Sequence, residues 1–335
     1  MNRNLKGTEQ KRVKKIDFGH ETIKVLYEDE YLAVILKPSG MLSVPYPGSS
    51  GKTALYALEQ IMRKNGTFSS KHRPFVVHRL DRDTSGVMMF ALTQDSQKKI
   101  MDNWQTMVTE RLYRAVAENP KDKAMYLADS GLIDDEIAYN AHNIGFVPKK
   151  DTKPVLSDSM KKSIAQQKKN KNEKHEMSIF ERNLTIKNGN AEFKTITART
   201  HYKVIERGKY HTLFELSLDT GRKNQIRAHL SSKGYPLAGD ENYRAKTDPF
   251  MRLALHARTL TFVHPYTAKK MTFEIPEPEE WIKTVQENTG NVPAVWNNEK
   301  KAFKAKNQDF SEVKTLVHKK LTKMDYISRG KYRGK

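Results

Sequence analysis

The sequence contains the stretch His78-Arg79-Leu80-Asp81-Arg82-Asp83-Thr84-Ser85-Gly86, which follows the short apolar segment Phe75-Val76-Val77. The stretch places the carboxylate of Asp81 between two arginines. Opposite charge within a few ångström favours the ionised form of a carboxylate. An ionised carboxylate beside guanidinium groups is suited to act as a nucleophile or base on a polyanion. The stretch therefore predicts a chemically active loop that leads into a buried strand.

The composition limits the classes of protein to consider. The chain has 335 residues, a formal net charge of +21 and no cysteine. Because the positive charge is clustered, it favours a polyanionic partner, above all nucleic acid. The absence of cysteine excludes disulfides, thiolate catalysis and cysteine-ligated zinc. With no apolar leader and no run of the ~18 apolar residues that a membrane span requires, we expect a soluble cytoplasmic protein without membrane contact.

The hydrophobic pattern predicts short strands that alternate with helices, which is typical of the α+β class. The expected helices cover about 53–64 and a later segment with Ile100, Met101, Trp104 and Met107 on one face. The expected strands are 23–28, 31–36, 75–77, 86–93, 111–117, 195–206, 211–218, 253–263 and 271–275.

A second motif, Leu218–Leu230, has the pattern of a strand end, a turn and a helix. Ile226 and Leu230 form the apolar stripe of that helix, and Gly234 is a suitable cap. The residues outside the stripe include three cations, Arg222, Lys223 and Arg227. Because a helix N-terminus disfavours positive charge, the cations indicate an anionic partner, either phosphate or a carboxylate such as Asp81. Simple exposure to solvent explains them equally well.

The stretch His78–Gly86 resembles the catalytic motif of the RluA-type pseudouridine synthases, His-Arg-Leu-Asp, two variable residues, then Thr-Ser-Gly. Other segments resemble further motifs of that family in the same order. They are Lys37–Gly40, Leu112–Ala115, Gly221–Leu230, Gly234–Asp240 and Leu253–Ala257. One position departs from the pattern, since Asn224 stands where the family usually has histidine.

The resemblance implies an α+β pseudouridine synthase fold, with a mixed, mostly antiparallel sheet, flanking helices and a central active-site cleft. We expect a basic N-terminal arm at 1–20 and a catalytic domain at 21–285. A Lys-rich insertion near 148–190 interrupts that domain, and a basic extension occupies 286–335.

The resemblance also implies a reaction, the isomerisation of specific uridines to pseudouridine in structured RNA, either large-subunit ribosomal RNA or transfer RNA. Asp81 is then the essential carboxylate, as nucleophile or as base, with Arg227 as its ionic partner. Tyr113 stacks on the flipped base, and Arg79 fills the space that the base leaves. The full set of expected substrate-binding residues is His78, Arg79, Arg222, Gln225 and Leu255.

We expect a monomer that uses no metal and no small-molecule cofactor. His229, His256 and Asp240 have a spacing that matches no usual metal site. Two other functions are considered. A metal-dependent nuclease would bind magnesium through Asp81, Asp83, Asp240 and Glu241, but arginines beside Asp81 disfavour such a site. A non-catalytic RNA-binding or ribosome-assembly protein is disfavoured because Asp81, Tyr113 and Arg227 are all in place.

The C-terminal segment 299–335 carries twelve lysines and arginines against four acidic residues. If it contacts phosphates, its deletion weakens RNA affinity and flattens the dependence of that affinity on salt, because fewer counterions are released on binding. Titrations of RNA binding at several salt concentrations check this prediction. An unchanged salt slope would show that the segment is not an RNA-binding arm.

Overall fold

A computed structural model describes residues 22–46, 52–156, 182–187 and 190–296. The expected N-terminal arm, most of the Lys-rich insertion and the segment 299–335 lie outside the described residues. The domain boundaries stay predictions, although ordered contacts continue past residue 285, where the Trp296 indole donates to the Ala245 carbonyl at 3.1 Å.

The strands of the described residues are numbered along the chain. They are β1 (Lys24–Glu28), β2 (Leu32–Lys37), β3 (Phe75–Val76), β4 (Ser85–Ala91), β5 (Val108–Glu118), β6 (Ser130–Ile133), β7 (Ala138–Tyr139), β8 (Gly145–Phe146), β9 (Leu184–Lys187), β10 (Asn190–Phe193), β11 (Thr200–Arg207), β12 (His211–Leu218), β13 (Leu255–Val263) and β14 (Lys270–Glu274).

Ten strands form one mixed sheet in the order β1-β2-β4-β13-β5-β12-β11-β6, with β3 paired to β4 and β14 paired to β13. The β4–β13 pair is parallel, and the other pairs of this sheet are antiparallel. The pairs β7–β8 and β9–β10 stand outside the sheet. The predicted α+β class and mostly antiparallel sheet are therefore confirmed.

The α-helices of the described residues are α1 (Ala54–Asn65), α2 (Gln94–Asp102), α3 (Trp104–Met107), α4 (Gln225–Ser232) and α5 (Glu280–Gln286). Helix α1 has the predicted ends: the Thr53 side chain accepts from the Tyr56 amide, and Gly66 closes the helix at φ 75°. The predicted cap of α4 is also found, since Gly234 has φ 87°. Within the described ranges, no helix has the length and apolar character needed to span a membrane.

The helix predicted around residue 100 differs from the structure. It is divided at Asn103 into α2 and α3, and Asn103 Nδ2 donates to the Lys99 carbonyl at 2.8 Å. Met101 does not share the buried face with Ile100, because it is 54% exposed. Ile100 and Met107 still belong to one buried cluster, with Trp104 packed against it, so Met101 is the residue of the predicted face that the structure leaves out.

Strand β4 is the centre of the fold, and all seven of its residues are buried. Met88 and Phe90 pack with α1 on one face, while Val87, Met89 and Ala91 pack with α2 on the other. A strand buried on both faces has a continuous apolar sequence, which is the pattern that predicts it here. The loop that carries Asp81 leads directly into this rigid strand.

The parallel contact between β4 and β13 extends over only two residue pairs, Ser85 with His256 and Gly86 with Ala257. Gly86 has φ 128°, and a Cβ built on it would lie 2.2 Å from the Ala257 carbonyl oxygen. Both the backbone conformation and the close approach therefore require glycine. This contact joins the strand that follows Asp81 to the other half of the sheet.

We predict that Gly86→Ala destabilises the protein by about 3 kcal/mol or more, because the overlap with Ala257 adds to the backbone strain. Gly66→Ala is the matched control. Gly66 also has a positive φ, but no atom lies within 4 Å of the position that a Cβ would take there. The Gly66→Ala variant should lower the free energy of unfolding by only about 1–2 kcal/mol, which is the strain of a left-handed non-glycine residue. Urea unfolding followed by tryptophan fluorescence checks both values, and equal costs would contradict the steric explanation.

Candidate active site

The loop between β3 and β4 is fastened on both sides of Asp81. Ser43 Oγ donates to the Leu80 carbonyl at 2.7 Å and accepts from the Leu80 amide at 3.1 Å. Ser39 Oγ donates to the Asp83 carbonyl at 2.8 Å. Both serines lie in the loop that follows β2. Because backbone groups before and after Asp81 are held in this way, the loop presents its carboxylate from a fixed position.

Lys37 completes this attachment from the end of β2. Its ammonium is fully buried and donates to three carbonyls, of Pro38 at 2.9 Å, Met41 at 2.7 Å and Arg82 at 3.0 Å. Burial lowers the pKa of Lys37 to about 7, although the nearby charge of Asp83 favours the ammonium form. Three carbonyl acceptors use all three donors of the protonated side chain, so protonated Lys37 ties the two loops together.

The Asp81 carboxylate is contacted from the N-terminal end of α4. Asn224 Nδ2 donates to Asp81 Oδ2 at 2.6 Å, and Arg227 Nη1 lies 3.5 Å from the same oxygen. The side chain of Asp81 is 26% exposed. Arg82, its neighbour in sequence, is paired instead with Asp83 at 3.3 Å. The groups that hold Asp81 therefore come from far along the chain.

Arg227 is buried and has a stronger partner than Asp81. Its Nε and Nη2 donate to the two carboxylate oxygens of Asp240 at 2.7 and 2.8 Å, and its guanidinium lies 5.0 Å from the centre of the Tyr243 ring. Burial opposes the charged form, but the hydrogen bonds and charge of Asp240 raise the pKa of Arg227. The predicted pair with Asp81 is present, but it is the weaker half of a bridge between two carboxylates.

Tyr113 and Leu255 lie beside this arrangement on the central strands. Tyr113 on β5 is opposite Ala257 of β13, and it packs against the buried cluster that contains Leu255. Burial raises the pKa of the Tyr113 hydroxyl, with Arg111 opposing and Asp81 reinforcing the shift. Tyr113 is therefore a neutral phenol at physiological pH. The structure brings together the three predicted catalytic residues and one predicted pocket residue.

Three cationic side chains lie in the Asp81 loop and in the turn before α4. Arg79, Arg222 and Lys223 are exposed, and Arg222 Nε donates to the Thr197 carbonyl at 3.1 Å. Burial lowers the pKa of Lys223; Asp81 counteracts this, while the charge of Arg79 adds to the shift. Cations that lie close together and reach solvent provide a site for phosphate groups. Substrate binding by Arg79 and Arg222 remains a prediction.

His78 is directed into the protein. Its Nε2 accepts from the Met89 amide at 2.9 Å, and its ring centre lies 4.9 Å from that of Trp104. Burial lowers the pKa of His78 to about 3, and the charge of Arg111 acts in the same direction. The neutral imidazole thus satisfies a backbone donor of β4. Its predicted substrate contact is untested, and the observed contacts hold the start of the Asp81 loop.

Gln225 is 2% exposed and holds the turn before α4. Its Oε1 accepts from Thr220 Oγ1 at 2.8 Å and from the Arg222 amide at 3.0 Å. Its Nε2 donates to the Arg199 carbonyl at 2.9 Å and to Thr200 Oγ1 at 3.0 Å. The observed partners of the Gln225 amide are thus protein groups at both ends. Its predicted substrate contact stays a prediction.

The residues of the nuclease hypothesis do not form a metal site. Asp240 is bonded to Arg227, and Asp83 is paired with Arg82. Across the described ranges, no three histidine or acidic side chains come together as possible metal ligands. The donor set around Asp81 consists of an amide and a guanidinium, which bind anions and not cations.

Sequence reasoning misses two kinds of residue at this site. In the sequence, Asn224 stands out only as a departure from a motif, and Asp240 only as the end of another motif and as a candidate metal ligand. Ser39, Ser43 and Lys37 lie about 40 residues before the loop that they hold. Serine and asparagine carry no distinctive spacing signal for such contacts. Lys37 does carry a sequence signal, because it belongs to the motif Lys37–Gly40, and that signal points to a role in loop conformation.

Comparison with known proteins identifies the family of the chain and not the roles of its site residues. Residues 31–232 match the family model described as RNA pseudouridylate synthase. The chain is 31% identical over 265 residues to the Bacillus subtilis (strain 168) protein named "Uncharacterized RNA pseudouridine synthase YlyB", covering 79% of this chain and 72% of that protein. It is 30% identical over 274 residues to the Pseudomonas aeruginosa "Ribosomal large subunit pseudouridine synthase D", covering 78% of this chain and 70% of that protein.

Solved structures confirm the fold. "Human RNA Pseudouridylate Synthase Domain Containing 4" superposes with a TM-score of 0.53 at 18% sequence identity, covering 87% of this chain and 100% of that chain. "Human RNA Pseudouridylate Synthase Domain Containing 1" gives a TM-score of 0.51 at 18% sequence identity, covering 77% of this chain and 84% of that chain. The matched family model spans the Asp81 loop, β5 and the whole of α4. The chain therefore belongs to the RNA pseudouridine synthase family and is an isomerase.

Proposed function

We propose that this protein converts specific uridines of large-subunit ribosomal RNA to pseudouridine, with Asp81 as the catalytic carboxylate. The observation that carries the proposal is that the two carboxylate oxygens of Asp81 differ in their contacts. Oδ2 is held by Asn224 and Arg227, while Oδ1 has no hydrogen-bond partner among the described residues. A carboxylate fixed through one oxygen leaves the other available to a substrate. The choice of RNA is supported by the name of the Pseudomonas aeruginosa relative.

The reaction breaks the bond between the sugar and nitrogen 1 of uracil and joins the same sugar carbon to carbon 5. Asp81 attacks the sugar or removes a ribose proton, and its accessible oxygen suits either role. The proton lost from carbon 5 is matched by one taken up at nitrogen 1. Because substrate and product are isomers, no oxidant, reductant or group donor is consumed. The proposed substrate also places the protein in the cytoplasm, with RNA as its partner.

The target base must leave the RNA stack to reach Asp81. We propose that Arg79, exposed two residues before Asp81, occupies the vacated space, because a planar guanidinium stacks on bases and binds phosphate. Tyr113 offers its ring to the flipped uracil above the apolar cluster that includes Leu255. Its neutral hydroxyl, with a raised pKa, is able to take part in the transfer of a proton from carbon 5.

We predict that Asp81→Ala and Asp81→Asn each lower pseudouridine formation by at least about 1,000-fold, since both remove the ionised carboxylate that attacks the sugar or accepts its proton. Affinity for the RNA should change by no more than about threefold, because most binding comes from cations on phosphates. Tritium release from 5-tritiated uridine in transcribed RNA measures the reaction, and filter binding measures affinity.

Asp83→Asn is the control for this experiment. Asp83 lies in the same loop, but its carboxylate is partly exposed and paired with Arg82. This variant should retain normal turnover. If the Asp81 variants retain normal turnover as well, the assignment of Asp81 is wrong.

The bridge through Arg227 allows its structural and catalytic effects to be separated. Asp240→Asn should destabilise the protein by about 3 kcal/mol, because it leaves a buried guanidinium short of its main partner. The double variant Arg227→Met with Asp240→Leu should recover most of that stability, since apolar groups can replace a buried ion pair. Turnover should stay low in the double variant, because Asp81 then lacks the guanidinium.

Urea midpoints and rates of tritium release, measured on the same preparations, check both statements. Recovery of turnover together with stability would show that Arg227 acts through folding alone. To identify the RNA, pseudouridines are mapped in the ribosomal and transfer RNA of a deletion strain and its parent. Loss of a site only in transfer RNA would refute the proposed choice of ribosomal RNA.

A further inference from the structure

The shortest contact of the Asp81 side chain is with a neutral group. Asn224 Nδ2 lies 2.6 Å from Asp81 Oδ2, against 3.5 Å for Arg227 Nη1. Arg227 directs Nε and Nη2 to Asp240 at 2.7 and 2.8 Å. The guanidinium is therefore fixed by Asp240 and reaches Asp81 only with its remaining nitrogen. The orientation of the Asp81 carboxylate thus depends mainly on the amide.

Asn224 occupies an unusual position for this contact. It is the N-cap residue of α4 and has φ 56°, a left-handed conformation that asparagine tolerates better than most residues. An asparagine at an N-cap ordinarily accepts a hydrogen bond from the first turn of its helix. Here the side chain makes no capping hydrogen bond. The amide is therefore free to point away from its own helix and towards the Asp81 loop.

The two ends of the Asn224 amide face complementary groups. Nδ2 meets the carboxylate, and Oδ1 accepts from the Gly145 amide of β8 at 3.4 Å. A reversed amide would place oxygen against carboxylate and nitrogen against an N–H donor, so the network determines which way the amide points. Asn224 thus connects Asp81 to β8 as well as to α4.

We propose that Asn224 is the positioning residue of the reaction: it fixes Asp81 through Oδ2, so that Oδ1 is the oxygen that meets the substrate. The inference rests on the proposed catalytic role of Asp81. An amide at 2.6 Å fixes the direction of the carboxylate without adding a charge. A second close cation would stabilise the anion further and weaken it as a base or nucleophile. Orientation and charge are thus supplied by separate groups, Asn224 and Arg227.

Two substitutions test the role without disturbing the backbone, because glycine and aspartate both tolerate a positive φ. Asn224→Gly removes the donor. It should lower kcat about 10- to 100-fold and leave KM within about twofold, as expected when one hydrogen bond to a charged group is lost. Asn224→Asp replaces the donor by a second carboxylate, and its kcat should be lower still at about pH 8.

The Asn224→Asp variant should recover as the pH falls from about 8 to about 6. Two facing carboxylates share one proton at the lower pH, and the protonated one again donates to its neighbour. The charged and titratable groups around this pair are Arg227 of α4 with its partner Asp240, Arg222 and Lys223 before that helix, Arg79 of the Asp81 loop, Lys37 at the end of β2, and Tyr113, Tyr139 and Tyr243. The tyrosines stay neutral in this range, whereas Lys37 has a pKa of about 7. Each rate is therefore divided by the wild-type rate at the same pH.

The same variant gives a readout that needs no RNA. A carboxylate pair that holds a proton only in the folded state loses stability as the pH rises. The Tm of Asn224→Asp relative to wild type should therefore be lower at about pH 8 than at about pH 6. Asn288→Asp is the matched control: Asn288 has φ 59° and is exposed just beyond α5, so the same charge change should leave rate and pH profile unchanged.

The outcomes separate this inference from the proposed function. Normal kcat in Asn224→Gly, or a loss in Asn224→Asp that is equal at every pH, overturns the positioning role. Wild-type protein that forms no pseudouridine in ribosomal or transfer RNA overturns the proposed function. In that case, the pH dependence of the Asn224→Asp Tm still decides whether Asn224 contacts Asp81 as described.

Discussion

The burial of the Arg227 guanidinium constrains the whole site. A buried charge without partners is very costly, so the fold must bring carboxylates to it. Asp240 supplies a two-point contact and thereby joins α4 to the turn before residues 241–243. The remaining nitrogen faces Asp81, whose loop packs against that end of the helix. The proposed catalytic carboxylate therefore lies next to an ion pair that does not itself need to contact substrate.

Neutral groups then set the direction of Asp81. Ser39 and Ser43 hold the backbone on either side of it, and Asn224 holds one of its oxygens. Lys37 adds a buried ammonium that binds only carbonyls, one of them in the Asp81 loop. The cations that reach solvent include Arg79 and Lys223, and the charge of Lys223 interacts with Asp81 and with Arg79. Fixed hydrogen bonds inside and exposed cations outside are what an enzyme needs to orient a carboxylate and still attract a polyanion.

Much of the fold was predictable because its signals are local. The buried strand β4, the capped helix α1 and the turn into α4 each have their pattern within about a dozen residues. The error near residue 100 has a local cause too. The apolar spacing of Met101 and Trp104 fits one helix, but the structure has two helices divided at Asn103, and Met101 is exposed. Periodicity alone cannot detect such a break, since asparagine is acceptable both within a helix and at its end.

The sequence by itself determined the class of fold, the family and the residue types of the site, because motif order and hydrophobic periodicity are properties of the linear sequence. The tertiary structure alone decided which partner each side chain takes. Arg227 is as compatible with Asp81 as with Asp240 in sequence, and Asn224 has no pattern that assigns it to Asp81. Those choices follow from where the fold places Asp240, the Asp81 loop and the left-handed turn at Asn224 relative to one another. The contact between Asp81 and Asn224 joins residues 143 positions apart, and no local spacing contains such a contact.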